Sequence, residues 1–108
     1  MNALGTAMEL RGDVLLDNYA VTFGGRRFRT KKSGETVRVF DEEGVKPLGT
    51  IRAAGALSGS IWADEDCIGE YYLSDGGYNV VPVGNGFRES DRKTTLHPLV
   101  FLLQHINR

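Results

Sequence analysis

The sequence predicts an α+β domain in which antiparallel β-hairpins form one curved sheet or a partly open barrel, with a C-terminal helix packed on an apolar face. Two observations lead to this prediction. Short glycine-containing turns separate β-prone runs in both halves of the chain. The last residues instead repeat apolar side chains with the period of a helix. The chain has 108 residues, of which 41% are hydrophobic and 25% are charged. Residues 1–108 are therefore expected to form a single globular domain.

The two hairpins between residues 19 and 40 carry the clearest pattern. YAVTF, Gly24-Gly25 and RRFRT form the first hairpin, and a turn at Ser33-Gly34 leads into ETVRVF. With two-residue turns, Val21 lies opposite Phe28, and Phe28 lies opposite Val39. Because side chains alternate across a strand, one face is apolar and is predicted to be core: Tyr19, Val21, Phe23, Phe28, Val37 and Val39.

The other face of these strands is predicted to be basic, with Arg26 and Lys32 at its margins. It carries Ala20, Thr22, Arg27, Arg29, Lys31, Thr36, Arg38 and Phe40. This register places Arg29 directly opposite Arg38, and like charges in that position destabilise a sheet by about 0.2–1 kcal/mol. Two interpretations remain open. The cations are either a solvated face that discourages edge pairing or an anion-binding surface on which Phe40 offers a stacking platform.

The middle of the chain is less patterned. VKPLGTI, residues 45–51, is predicted to be a strand, and Pro47 near its start is typical of an edge strand. The small residues at 53–60 are predicted to be a joint between two β-rich halves. Residues 1–12 are expected to be a flexible N-terminus, and the acidic residues 64–70 are expected to be a loop.

The second half repeats the hairpin pattern. GEYYL (69–73) pairs with YNVVPVG (78–84), and an Asn85-Gly86 turn leads into FRES (87–90). A helix follows, with Thr94 or Thr95 as its N-cap and Pro98 in its first turn. Its apolar stripe predicts one buried face made by Leu96, Leu99, Val100, Leu103 and Ile106.

Catalytic and cofactor motifs are not found in the sequence. Gly84-Asn85-Gly86 lacks the remaining residues of a dinucleotide or phosphate loop. The acids at 64–70 lack EF-hand spacing, and His97 and His105 lie about 12 Å apart along one helix, too far to share a metal ion. We therefore expect no catalytic residue, no metal and no cofactor. The single cysteine, Cys67, suits a reducing compartment, and no apolar run is long enough to cross a bilayer, so a cytoplasmic protein is expected.

These observations favour a small non-enzymatic binding module. With a net charge of −1, nucleic acid would be contacted only through a local patch. We call this patch the basic surface and define it by five residues: Arg27, Arg29, Lys31, Arg38 and Phe40.

The alternative is a protein-interaction module, such as an inhibitor or regulator of a larger partner. It would act through the acidic 64–70 loop or through the outer side of the helix, where Phe101 is not part of the apolar stripe. A weak homodimer is expected through that side, which is predicted to carry His97, Phe101, Leu102 and His105.

Overall fold

The fold is a curled half-barrel sheet with one C-terminal helix. A computed structural model describes residues 4–6, 14–55, 57–74, 77–83 and 94–107. Seven strands follow one another as an antiparallel meander: β2 (Ala20–Phe23), β3 (Arg26–Ser33), β4 (Thr36–Asp41), β5 (Pro47–Ala53), β6 (Ser58–Ala63), β7 (Asp66–Ser74) and β8 (Gly77–Pro82). The helix α1 spans Pro98–Ile106. The predicted α+β architecture is confirmed.

Two short strands extend the two ends of this meander. β1 (Leu4–Thr6) pairs in parallel with β2, and β9 (Thr94–Thr95) pairs antiparallel with β8. Residues 4–6 of the N-terminal segment therefore add a strand to the sheet, and the expected flexibility of residues 1–12 stays a prediction. Local patterning does not predict a three-residue strand whose partner lies far along the chain.

The first hairpin has the predicted register. Val21 pairs with Phe28, and Phe23 pairs with Arg26. Beyond the paired strands, the Thr30 amide donates to the Tyr19 carbonyl at 2.9 Å, so these two residues also lie opposite each other as predicted.

The second hairpin corrects the prediction by two residues. Ser33 pairs with Thr36, so the turn is Gly34-Glu35 and not Ser33-Gly34. Gly34, the first central residue of this turn, has a φ of +63°, whereas Glu35 is not among the residues with a positive φ. This combination is typical of a type II′ turn, which favours glycine at its first central position. As a result, Lys31 and not Arg29 lies opposite Arg38.

A shift of two residues leaves every side chain on its predicted face, because the side-chain period of a strand is two. The predicted core face is confirmed. Tyr19 and Phe23 are half-buried against the core, and four of its residues are at least 98% buried: Val21, Phe28, Val37 and Val39.

The strand β5 lies inside the sheet, between β4 and β6, so the edge position expected from Pro47 is wrong. Pro47 is the first residue of β5 and pairs only with Phe40, beside a bulge. Pairing with β6 begins two residues later, at Gly49. The missing amide hydrogen of Pro47 therefore removes no β5–β6 hydrogen bond.

The described residues at both ends of the segment predicted to be a joint belong to the sheet or contact it. Ala53 pairs with Gly59, and the Ala54 amide donates a hydrogen bond to the Ser58 carbonyl at 2.9 Å. The acidic segment is also more ordered than expected. Its turn is Asp64-Glu65, and β7 already begins at Asp66. The predicted Asn85-Gly86 turn and the FRES strand lie outside the described residues.

The helix begins one residue after a cap that the sequence did not predict. His97, and not Thr94 or Thr95, is the N-cap, and its Nδ1 accepts a hydrogen bond from the Leu99 amide at 3.1 Å. Pro98 occupies the first turn, as predicted. An aromatic ring nitrogen takes the place of the expected hydroxyl because it reaches the same orphan amide.

The helix packs on the concave side of the sheet, against β5, β6 and β8. Glycines on two strands allow this close approach. A Cβ atom built on Gly49 would lie 2.7 Å from a Leu102 methyl group, and one on Gly69 would lie 2.9 Å from the Phe101 ring. The predicted apolar stripe is confirmed, with Leu99, Val100 and Leu103 buried and Leu96 and Ile106 packed at its ends.

Candidate nucleic-acid interface

The basic surface lies on the convex side of the sheet, away from the helix. Arg27, Arg29 and Lys31 alternate with the buried residues of β3, while Arg38 and Phe40 alternate with those of β4. Arg29 lies directly opposite Phe40. The structure therefore brings all five predicted residues onto one face of two neighbouring strands.

In the described part of the chain, the cations of this surface form no ion pair with an acid. Lys31 lies opposite Arg38, a like-charge pair that costs about 0.2–1 kcal/mol in a sheet. No outward-facing position of the described strands β3, β4 and β5 is acidic. No carboxylate of the described residues lies within 4.0 Å of the charged nitrogens of Arg27, Lys31 or Arg38.

Arg29 has one neutral partner. Its guanidinium donates a hydrogen bond to the Asn18 side-chain oxygen at 2.8 Å. Asn18 has a φ of +54°, in the left-handed region that asparagine tolerates better than most residues. This contact positions the Arg29 side chain without removing its charge.

Two further residues extend the surface across β5 and β6. Arg38 pairs with Thr50, and Thr50 pairs with Trp62, so the Trp62 side chain lies on the same outer face. Arg52, also on β5, places its guanidinium carbon 4.2 Å from the centre of the Trp62 ring. We call Arg52 and Trp62 the stacked pair.

The ring of Trp62 is held in place from its edge. Its indole Nε1 donates a hydrogen bond to Ser60 Oγ, at 2.8 Å. Arg52 is exposed and Trp62 is half-buried. The guanidinium carbon lies over an oriented ring while the Arg52 side chain stays exposed, so the cation remains accessible to solvent.

The sequence interpretation did not identify the stacked pair, because no strand was predicted over residues 58–63. The small residues of SGSIWA hide the β pattern. The apolar pair Ile61 and Trp62 was the feature of the sequence that could have indicated a strand here. A strand assigned there, with Ile61 facing the core, places Trp62 on the outer face by alternation.

Arg26 serves the fold and not the basic surface. Its guanidinium lies 5.0 Å from the centre of the Phe28 ring and donates to Asn107 Oδ1 at 3.4 Å, next to the end of the helix. An open cavity of about 600 Å³ beside it is lined by Gly25, Arg26, Arg27, Asp41, Glu42 and Glu43. Charges of both signs line this cavity, so it does not select an anion or a cation.

The helix surface expected to form a protein interface is largely internal. Leu102 is fully buried and His97 is 8% exposed, so neither can lie on an outer patch. Phe101 is half-buried and packs against the core, and His105 is half-buried. The prediction of a single buried helix face did not include these residues, because the sheet curls around the helix and covers more than one of its sides. The weak homodimer stays a prediction.

The acidic segment lies at the hairpin between β6 and β7 and at the start of β7. Asp64, Glu65, Asp66 and Glu70 are exposed, and Glu70 lies on the outer face, opposite Ser60. Within the described part of the chain, no group of three or more His, Cys, Asp or Glu residues is arranged to hold a metal ion. A role for this segment in protein contacts also stays a prediction.

The fold and this face together define a class of domain: an antiparallel β-meander closed by one helix, with a basic and aromatic outer face. Comparison with protein-family models, curated proteins and solved structures finds no match to the chain. Among the described residues, no helix is long and apolar enough to span a bilayer.

Proposed function

We propose that the protein is a non-enzymatic binding module that contacts nucleic acid through the basic surface and the stacked pair. A reducing compartment such as the cytoplasm is part of this proposal, since the one cysteine, Cys67, is a free thiol. The observation that carries the proposal is the row Lys31, Arg38, Thr50 and Trp62. On one face, this row places two cations in line with an aromatic ring, with only Thr50 between them.

Charge complementarity supports a polyanionic partner. The net charge of the chain is −1, so attraction to phosphates would come from local concentration of cations and not from the molecule as a whole. Arg27 is left out of the count because Asp41, Glu42 and Glu43 line the cavity beside it. The other four cations contribute without a carboxylate partner among the described residues: Arg29, Lys31, Arg38 and Arg52. If each neutralises one phosphate, the logarithm of the binding constant falls with the logarithm of salt concentration with a slope of about −2.8 for single strands and about −3.6 for duplex DNA.

Titration of fluorescently labelled oligonucleotides, single-stranded and duplex, at several salt concentrations tests the proposal. We expect binding at low salt with the slopes given above. Arg29→Glu should nearly abolish it, because the substitution reverses a charge within the surface.

Lys32→Glu is the matched control. Lys32 is exposed and adjacent to Lys31 on β3, but alternation directs it to the opposite side of the strand. Lys32→Glu changes the net charge by the same amount as Arg29→Glu. Because Lys32 lies on the other side of the strand, we expect a much smaller loss of binding affinity than in Arg29→Glu. Absence of binding to either form of nucleic acid at low salt would mean that the basic surface is only a solvated face.

A further inference from the structure

We infer that the nucleic acid is single-stranded, and that a base stacks on the exposed plane of Arg52, which Trp62 supports from below. This inference rests on the proposed function and specifies its ligand. Three observations carry it: the width of the sheet, the aromatic residues on its outer face and the geometry of the stacked pair.

The width of the sheet argues against reading a duplex. The major groove of B-DNA is about 12 Å wide and admits a helix or a two-stranded ribbon. The row from Lys31 through Arg38 and Thr50 to Trp62 spans four adjacent strands, and spacings of about 4.8 Å make it about 14 Å wide. A binding face four strands wide exceeds the two-stranded ribbon that the groove admits.

The aromatic residues favour bases that are not already stacked in a duplex. Phe40 and Trp62 are half-buried and lie on β4 and β6, with one strand between them. Trp62 lies in the row of Arg38, two residues along β4 from Phe40, so two strand spacings and about 7 Å along the strand separate the two side chains by about 12 Å. Bases of a single strand can be splayed out onto such side chains, whereas the faces of duplex bases are covered by their neighbours.

The geometry of the stacked pair provides a defined platform. The guanidinium carbon of Arg52 lies 4.2 Å from the centre of the Trp62 ring, and the hydrogen bond to Ser60 fixes the direction of that ring. Because Arg52 is exposed, its outer plane is free to stack a base, as arginine planes do in single-strand recognition. The positive charge of Arg52 adds attraction for the neighbouring phosphate.

The closing experiment measures binding of three probes of equal length: a single-stranded oligonucleotide, its duplex, and a single strand with abasic positions. Stacking is worth about 1–3 kcal/mol per base, which corresponds to about 5- to 140-fold in affinity. We expect the single strand to bind tighter than the abasic strand by a factor in this range, and tighter than the duplex. Trp62 is the only tryptophan, so its fluorescence should change over the same titration.

The matched pair of variants is Arg52→Lys and Arg38→Lys. Both keep the positive charge and remove the guanidinium plane. Arg52→Lys should reduce single-strand affinity by about 5- to 140-fold, because its plane supports a base. Arg38→Lys should change affinity by only about twofold, since lysine also binds phosphate as a point charge. Both side chains are exposed, so the folded state should tolerate both substitutions.

The outcomes separate this inference from the proposed function. Equal affinity for abasic and normal single strands, with unchanged tryptophan fluorescence, would overturn the stacking inference and leave phosphate binding in place. Equal or tighter binding to the duplex would overturn the single-strand assignment. Failure of all three probes to bind at low salt would overturn the proposed function itself.

Discussion

The two faces of the same strands follow different rules, and β4 shows this most clearly. Val37 and Val39 face the helix and are 1% and 0% exposed, whereas Arg38 between them is exposed. On the inner face Val39 lies between Thr30 and Gly49, and both of these neighbours are buried. On the outer face Arg38 lies opposite Lys31, an arrangement that packing does not require.

This difference separates residues that stabilise the fold from residues that are free to bind. The inner face gains free energy from apolar burial, at about 25 cal/mol per Å² removed from water. The outer face gains little from its charges, because exposed charges contribute about 0–1 kcal/mol at most. Substitutions on the inner face should therefore change stability and leave binding intact, and substitutions on the outer face should do the reverse.

The largest expected change in stability is that of Leu99→Ala, in the helix that packs on the inner face of the sheet. Leu99 is 1% exposed in the middle of the core, so its truncation leaves a cavity and should cost about 2–5 kcal/mol in the free energy of unfolding. Chemical denaturation measures this loss. Gln104→Ala, an exposed position on the same helix, should change stability by less than about 0.5 kcal/mol. A loss that small in Leu99→Ala would contradict the helix orientation.

A smaller loss is expected from adding one methyl group where the sheet meets the helix. Gly49→Ala would place its Cβ atom 2.7 Å from both a Leu102 methyl group and the Trp62 carbonyl oxygen, and overpacking of this kind typically costs about 1–3 kcal/mol. The measurement is a thermal or chemical unfolding midpoint.

The glycine control for this substitution is Gly77→Ala. Gly77 lies in β8, and a Cβ atom built there meets nothing within 4 Å. Its unfolding midpoint should therefore stay close to that of the wild type. Neither glycine has a positive φ, so equal losses in the two variants would contradict overpacking against Leu102 as the cause.

The cap of the helix should contribute next. His97→Ala removes the acceptor for the Leu99 amide, and loss of an N-cap acceptor costs about 0.5–2 kcal/mol. His97→Asn should retain more stability, because an asparagine side chain also accepts at an N-cap. Similar stabilities of the two variants would indicate that His97 acts by packing, through its ring contact with Tyr78 at 5.3 Å, and not by capping.

The smallest change in stability is expected for a substitution on the outer face, and it should stabilise the protein, whereas the substitutions above destabilise it. Arg38→Glu converts the pair with Lys31 into an attractive one and should stabilise the fold by about 0.2–1 kcal/mol, while binding of single strands is strongly reduced. Denaturation and oligonucleotide titration on the same preparation test both effects. A variant that is less stable than the wild type, or that binds as well, would break the contrast between the two faces.

Much of the fold was predictable because strand alternation is local. The face of each residue from Tyr19 to Phe40 follows from counting, and the two-residue error at Gly34 changed partners without changing faces. The basic surface was predicted for the same reason. The stacked pair was not, because Arg52 and Trp62 lie on different strands and one of those strands has a weak pattern.

By itself, the sequence determined which residues alternate inward and outward on the first hairpins and that the chain ends in an amphipathic helix. These follow from the periods of strand and helix, which act over a few residues. Tertiary structure alone decided that β5 is internal, that His97 caps the helix, that Leu102 is buried and that Trp62 meets Arg52. Each depends on how the sheet curls around the helix, and that curvature arises from packing between segments distant along the chain, which no local pattern contains.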